Sequence, residues 1–160
     1  MLLIYHERKG ELNKADFYLN KVKEQVDGLS TIEYAKTYLV IYYRFLARIH
    51  SRRKNNIDAV NSIDKAIDLY EDKSEYILLS CYQDRGVYNT YLNRYEEADN
   101  DFRMCKEIVE KYALSPKVNL MIYNNIALVH FKKGEYAEAE KYYDAIIKIH
   151  PDFISPTNYN

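Results

Sequence analysis

With 160 residues, 48% of them apolar and 29% charged, the chain is large enough to bury a core without help from a disulfide or metal. A formal charge of −1 withholds the positive excess that general nucleic-acid binders use to displace counterions. Its two cysteines, Cys81 and Cys105, have no metal-binding spacing and suit a reducing cytosol, and no apolar run approaches the ~18 residues of a membrane span, so the sequence reads as soluble, cytoplasmic and non-membrane.

Only 4 glycines and 3 prolines interrupt the chain, which favours long helices over sheets and turns. Apolar periodicity predicts helices at about 2–9, 12–26, 31–53, 57–71, 75–92, 96–112, 116–132 and 136–149. Gly10 falls at the turn after the first of these, where a positive φ is needed. Ser30-Thr31-Ile32-Glu33 reads as a capping box opening the third helix after Gly28. Ser115-Pro116 reads as an N-cap with proline at the first helical position. Gly134 turns the chain into the last helix, and Pro151 ends that helix.

The helices repeat in pairs. The last unit runs Tyr123, Ile126, Ala127, His130, Gly134-Glu135-Tyr136, Ala139, Tyr143, Ile146 and Pro151. Before it come Tyr82, Gly86, Asn89, Asn93-Arg94-Tyr95, Ala98, Phe102 and Cys105, then Tyr43, Leu46, Ala47, His50, Ala59, Ile63 and Ala66. The first unit is partial: Leu2, Leu3, His6, Gly10, Ala15, Leu19 and Val22. The anchor alanines at 15, 59, 98 and 139 are 44, 39 and 41 residues apart. Small Ala59, Ala98 and Ala139 let two helices cross closely, with bulky Ile63, Phe102 and Tyr143 one turn later filling the space beside them.

This pattern resembles the tetratricopeptide repeat, in a long-period form like that of bacterial regulator repeat domains. The period exceeds the family's usual ~34 residues, and Arg85 stands where the pattern has an apolar residue. The resemblance implies an all-α, antiparallel helix-pair solenoid, a right-handed superhelix of about three and a half repeats. The repeats fall at about 1–27 (partial), 31–71, 75–112 and 116–151, in a single domain over 1–160 with a tail at 152–160. Neither end carries a polar capping helix in the sequence pattern. The chain therefore reads as a piece of a longer protein, or as one whose ends meet a partner or a second copy.

No catalytic signature is present: no phosphate-binding glycine loop, Gly-x-Ser-x-Gly elbow or Asp-rich calcium loop. His6, His50 and His130 share one slot of three units. Helices 8–10 Å apart cannot bring three such residues onto one ion, so they read as packing residues. Glu96, Glu97, Asp99 and Asp101 read as solvated charges on an exposed face. No enzyme activity, metal or cofactor is expected.

Arg44, Arg48 and Arg52 recur every four residues and so line one helix face. In the resembled family the first helix of each pair lines a concave ligand groove. The resemblance places this stripe there, with Gln83, Asp84, Val87 and Tyr91 on the next first helix and Asn124, Asn125 and Leu128 on the one after. Asn125 is the position most similar to the family's backbone-holding asparagine, since its amide both donates and accepts. Two readings of the stripe stay open. It is an exposed face paired with Asp84 or other local acids, or it forks onto a carboxylate of a bound peptide. On the second reading, removing Arg48 or Asn125 leaves folding unchanged and abolishes binding. The expected function is thus a scaffold that grips a peptide or protein segment in its concave groove, one such role being the sensory or regulatory domain of a bacterial regulator, with a partner bearing an acidic group. The alternative is an assembly or oligomerisation module, and an RNA-binding repeat or enzyme ranks last.

Overall fold

The computed structural model describes residues 2–28, 32–71, 73 and 75–151, with backbone alone at 32–34. Ser30 and Thr31 of the capping box and the 152–160 tail lie outside the described residues. The helices are α1 (Leu2–Arg8), α2 (Leu12–Asp27), α3 (Ile32–Arg52), α4 (Asn56–Ile67), α5 (Leu79–Tyr91, entered through a 3-10 turn at Tyr76–Leu78), α6 (Tyr95–Lys111), α7 (Pro116–Lys133) and α8 (Tyr136–Ile149). Among the described residues there is no strand. Consecutive helices pack as α1–α2, α3–α4, α5–α6 and α7–α8, and each pair leans on the next through α2–α3, α4–α5 and α6–α7. First helices also touch across pairs, α3 to α5 and α5 to α7. This is an antiparallel helix-pair solenoid, as the sequence pattern predicts.

One turn geometry closes all four pairs. The residue five before each anchor alanine has a positive φ: Gly10 at 74°, Lys54 at 61°, Asn93 at 59° and Gly134 at 80°. The next residue donates its N–H back to the ending helix, from Glu11 to His6, Asn55 to His50, Arg94 to Asn89 and Glu135 to His130, each at 2.9 Å. That bond satisfies a carbonyl that a helix end would leave unpaired. Ser115 does occupy the N-cap position with Pro116 behind it, yet its side chain makes no capping bond. Asn55 does cap, accepting from the Asp58 N–H at 3.2 Å.

The anchors are buried without exception: Ala15, Ala59 and Ala98 at 0% exposure and Ala139 at 3%. Twelve residues before and four after each anchor the sequence places Leu3 and Leu19, Ala47 and Ile63, Gly86 and Phe102, and Ala127 and Tyr143. In the third pair the two share one space, since a Cβ on Gly86 would meet the Phe102 ring at 2.7 Å. Tyr143 departs from the expectation that it fills its gap, since it is 37% exposed. Its equivalents Ile63 and Phe102 are covered by the following pair, and among the described residues no helix follows α8.

Asp101 also corrects the sequence reading. It is no solvated charge but is 2% exposed. It takes the place that Tyr18 and Tyr142 hold in their units. Arg85 is its partner, donating through Nε at 3.0 Å and Nη2 at 2.6 Å, while Asn89 donates at 3.2 Å. Arg85 also reaches Asp64 at 2.6 Å, which ties α4, α5 and α6 together. The odd arginine of the repeat pattern is therefore half of a buried ion pair whose other half looked exposed. Burial still pushes the Asp101 carboxyl above its ordinary range despite Arg85.

The shared space at Gly86 yields a test. Gly86→Ala should overpack against Phe102 and cost about 1–3 kcal/mol in chemical denaturation. Adding Phe102→Ile recreates the Ala47–Ile63 pairing and should recover part of that loss. A double variant as unstable as the two single losses combined would refute the shared-space account.

Candidate functional site

The first helices of pairs two, three and four form a continuous wall, because α3 touches α5 and α5 touches α7. Fifteen, eleven and seven residues before each anchor, one stripe of this wall carries Arg44, Arg48 and Arg52 on α3, then Gln83, Val87 and Tyr91 on α5, then Asn124, Leu128 and Lys132 on α7.

A depression of about 310 Å³ lies between α1, α3 and α5, lined by Glu7, Arg44, Arg48, Ser51, Arg52, Asp84, Val87, Tyr88 and Tyr91. Six of the residues singled out from the sequence meet here: Arg44, Arg48, Arg52, Asp84, Val87 and Tyr91. Gln83 is half-buried beside Asp84. Asn124 is exposed, and Asn125 and Leu128 are half-buried, on α7 and outside this depression.

The arginines are engaged within the chain. Arg44 donates to the Asp84 carboxylate at 3.0 Å. Arg48 donates through Nη2 to Glu7 at 2.6 Å, and Arg52 through Nε to the other Glu7 oxygen. Glu7 is 0% exposed, and its two oxygens are divided between two helical turns of α3. Local pairing, the first reading of the stripe, thus describes the resting geometry. The pairing also corrects the expectation that Arg48 can be removed without affecting folding, because it compensates a carboxylate sealed from water.

Three guanidinium groups face two carboxylates, so the depression keeps an excess of one positive charge. Arg48 and Arg52 keep 34% and 45% of their side chains exposed, so donors remain at the surface. Arg48 also lies 5.4 Å over the Phe45 ring, which holds its fork flat. Burial raises the Asp84 carboxyl above its usual range, and Arg44 only partly offsets this. The Tyr88 hydroxyl is pushed up by burial and then by the nearby Asp84 charge, so it stays a neutral donor. The arrangement can hold a carboxylate against free guanidinium edges while Tyr91, 56% exposed, offers a flat apolar face.

Sequence reasoning missed Glu7, Ser51 and Tyr88. No local motif marks Glu7. Its repeat register, eight residues before Ala15, is the signal that places it beside the stripe. Two of the histidines, His6 and His130, pack in the same way. His6 meets Glu11 at 2.6 Å and stacks on Tyr18, and His130 meets Glu135 at 2.6 Å and stacks on Tyr142. These hydrogen bonds hold both glutamates below the usual carboxylate range. Cys81 and Cys105 are fully buried free thiols, and burial pushes Cys81 up to about 12. Among the described residues no three His, Cys, Asp or Glu side chains converge as metal ligands. No helix there is long and apolar enough to cross a membrane.

The sealed ion pair can be probed directly. Arg48→Ala should cost about 1–3 kcal/mol of stability by leaving Glu7 under-satisfied. The Glu7→Gln/Arg48→Ala double variant should cost clearly less than the two single changes combined. Additivity within about 0.5 kcal/mol in denaturant titrations would mean the two side chains do not interact.

Comparison with known proteins agrees with this architecture. Residues 121–153 match the family model for the tetratricopeptide repeat. A stretch of 110 residues is 24% identical to the human protein O-mannosyl-transferase TMTC1, covering 69% of this chain and 12% of that protein. Among solved structures, the crystal structure of BtubC (BKLC) from P. vanneervenii superposes with a TM-score of 0.80 at 15% identity, over 97% of this chain and 62% of that one. The chain spans 12% of the first of these proteins and 62% of the second, under two thirds of either.

Proposed function

We propose that this chain, a tetratricopeptide repeat protein, is a scaffold that grips a peptide or protein segment along the wall made by α3, α5 and α7. Such repeats generally mediate protein–protein interaction. The observation that carries the finer reading is the depression at Arg44, Arg48, Arg52 and Tyr91, with its single excess positive charge. A partner with an acidic group, such as a C-terminal carboxylate, would take the free guanidinium edges. Its backbone would run on past Gln83 toward Asn124, Asn125 and Leu128. First helices at ~10 Å spacing give a wall of about 20 Å, enough for roughly six extended residues. Lys132, which continues the stripe on α7 and is exposed, adds a second cation at the far end.

We attach to this a regulatory role in which peptide binding shifts an attached effector, in keeping with the long repeat period. The buried free thiols suit a reducing compartment such as the cytoplasm. Assembly through the ends of the array is a second reading. Tyr5 is 54% exposed where its repeat equivalents Ile49, Tyr88 and Val129 are buried at 0%, 6% and 0%.

Tyr91→Ala and Asn125→Ala are the cleanest test, since neither side chain anchors a buried charge. Each should keep the parental melting temperature and weaken capture of the bound protein, identified by mass spectrometry, at least tenfold, about 1.4 kcal/mol. Capture should also weaken as salt rises from 50 to 500 mM, roughly the range over which exposed charges become screened. A partner that binds both variants like the parent, at every salt concentration, would move the binding site off this wall.

A further inference from the structure

The turn-side edge of the wall carries a pattern that the depression between α1, α3 and α5 does not account for. Seven residues before each anchor, the first helices bring Arg8, Arg52, Tyr91 and Lys132 into one row, and all four are exposed. Four residues earlier, the adjoining row holds Val87 on α5 and Leu128 on α7, both half-buried. An exposed tyrosine thus stands between two cations, beside an apolar strip. No carboxylate occupies either row on α3, α5 or α7.

The end of a helix favours cations in general, because of the partial negative charge there. That charge does not explain why they keep one register on the stripe face, with an aromatic ring between them. On α7, Lys133 is held by Asp99 at 3.5 Å and Glu135 at 3.2 Å, while Lys132 beside it makes no ion pair among the described residues. Arg52 gives its Nε to Glu7, and its Nη groups make no hydrogen bond among the described residues. The spacing of the row is that of the helices, roughly 8–10 Å per step. A polyproline II segment rises about 3.1 Å per residue and turns once in three residues, roughly 9 Å. Its residues i, i+3 and i+6 therefore share one face at the spacing of successive first helices. A β-extended segment alternates sides with a period of two, so its residue i+3 would face away from the wall.

We propose, on the reading that the α3–α5–α7 wall is the binding surface, that its partner is a polyproline II segment with an acid, an apolar residue three positions on and a second acid three beyond that. The two acids meet Arg52 and Lys132, and the apolar side chain packs on Tyr91 beside Val87 and Leu128. Such a segment is already extended and has no internal backbone hydrogen bonds to give up, so less ordering opposes its capture. Aromatic side chains in a groove are a general means of holding this conformation. A lone carboxylate would use one end of the row and leave the other cation unmatched.

The probe is a fluorescein-labelled peptide, Glu-Pro-Pro-Leu-Pro-Pro-Glu, amidated so that it has no terminal carboxylate. Added to the intact chain, it should bind saturably by fluorescence anisotropy. Glu-Glu-Pro-Leu-Pro-Pro-Pro, of the same composition, should bind at least tenfold more weakly. Lys132→Glu should weaken the first peptide at least tenfold, and replacing that peptide's final Glu by Lys should restore binding to the variant. A variant weakened by a folding defect would show no such rescue, and circular dichroism checks its helix content. No saturation up to about 1 mM, equal binding of the two peptides or failure of the charge-reversed rescue would overturn the proposal. So would tighter binding of Glu-Val-Leu-Val-Leu-Val-Glu, whose alternation suits a β-strand. If the probe fails while Tyr91→Ala still weakens capture of the natural partner, the wall keeps its role and this class of partner is excluded.

Discussion

Everything in this molecule hangs on the close crossing of two helices at a small residue. The anchor alanine lets the second helix of each pair settle against the first, and the helix pair is the unit that stacks. Because interiors are close-packed, the residues that meet there have to share the room available. Glycine against phenylalanine in the third pair shows how one gives way to the other. The positive-φ turn five residues earlier fixes the angle at which the second helix arrives. A repeat is thus specified by two local conditions, a turn and a crossing, and its period can stretch from 39 to 44 residues without loss of either.

These conditions are local in sequence, which is why the fold was legible there. Anchor spacing and turn glycines give the helices to within a few residues, apart from the C-terminal end of α4. The misreadings have a common cause. Asp101 looks solvated on a helical wheel and is buried because Arg85, sixteen residues earlier, reaches it. Glu7 is invisible as a functional residue until α3 brings two arginines to it from 41 and 45 positions away. Tyr143 has the pattern of a core residue and is 37% exposed. Helix periodicity reports which residues share a face, and cannot report which side chains arrive on that face from elsewhere in the chain. For the site, the stripe on α3 and α5 and the acid Asp84 were legible because groove positions recur with the anchor, whereas Glu7 on α1 was not.

Internal pairing changes how the wall of first helices would recognise a partner on the proposed reading. A row of free arginines would attract any anion over a long range. With Glu7 and Asp84 holding most of that charge, the surface keeps directional donors and loses much of its field. Selectivity then rests on shape and on donor geometry more than on attraction at a distance. On the proposed reading, such a wall would favour one well-placed carboxylate over a diffuse polyanion. The acids also make the wall stiff, since each arginine is held before a ligand arrives, and a partner loses less entropy ordering it.

The turn residues carry a consequence for how the array comes apart. The outer pairs use Gly10 and Gly134 at the left-handed position, where the conformation carries no Cβ penalty. The inner pairs place Lys54 and Asn93 there, at a steric cost of order 1 kcal/mol for the lysine. The packing of the helices around the Lys54 turn has to hold that strain, since the local backbone does not favour it. When that packing loosens, the Lys54 turn therefore has the most to gain by relaxing, whereas the glycine turns at 10 and 134 keep their geometry without support from their surroundings.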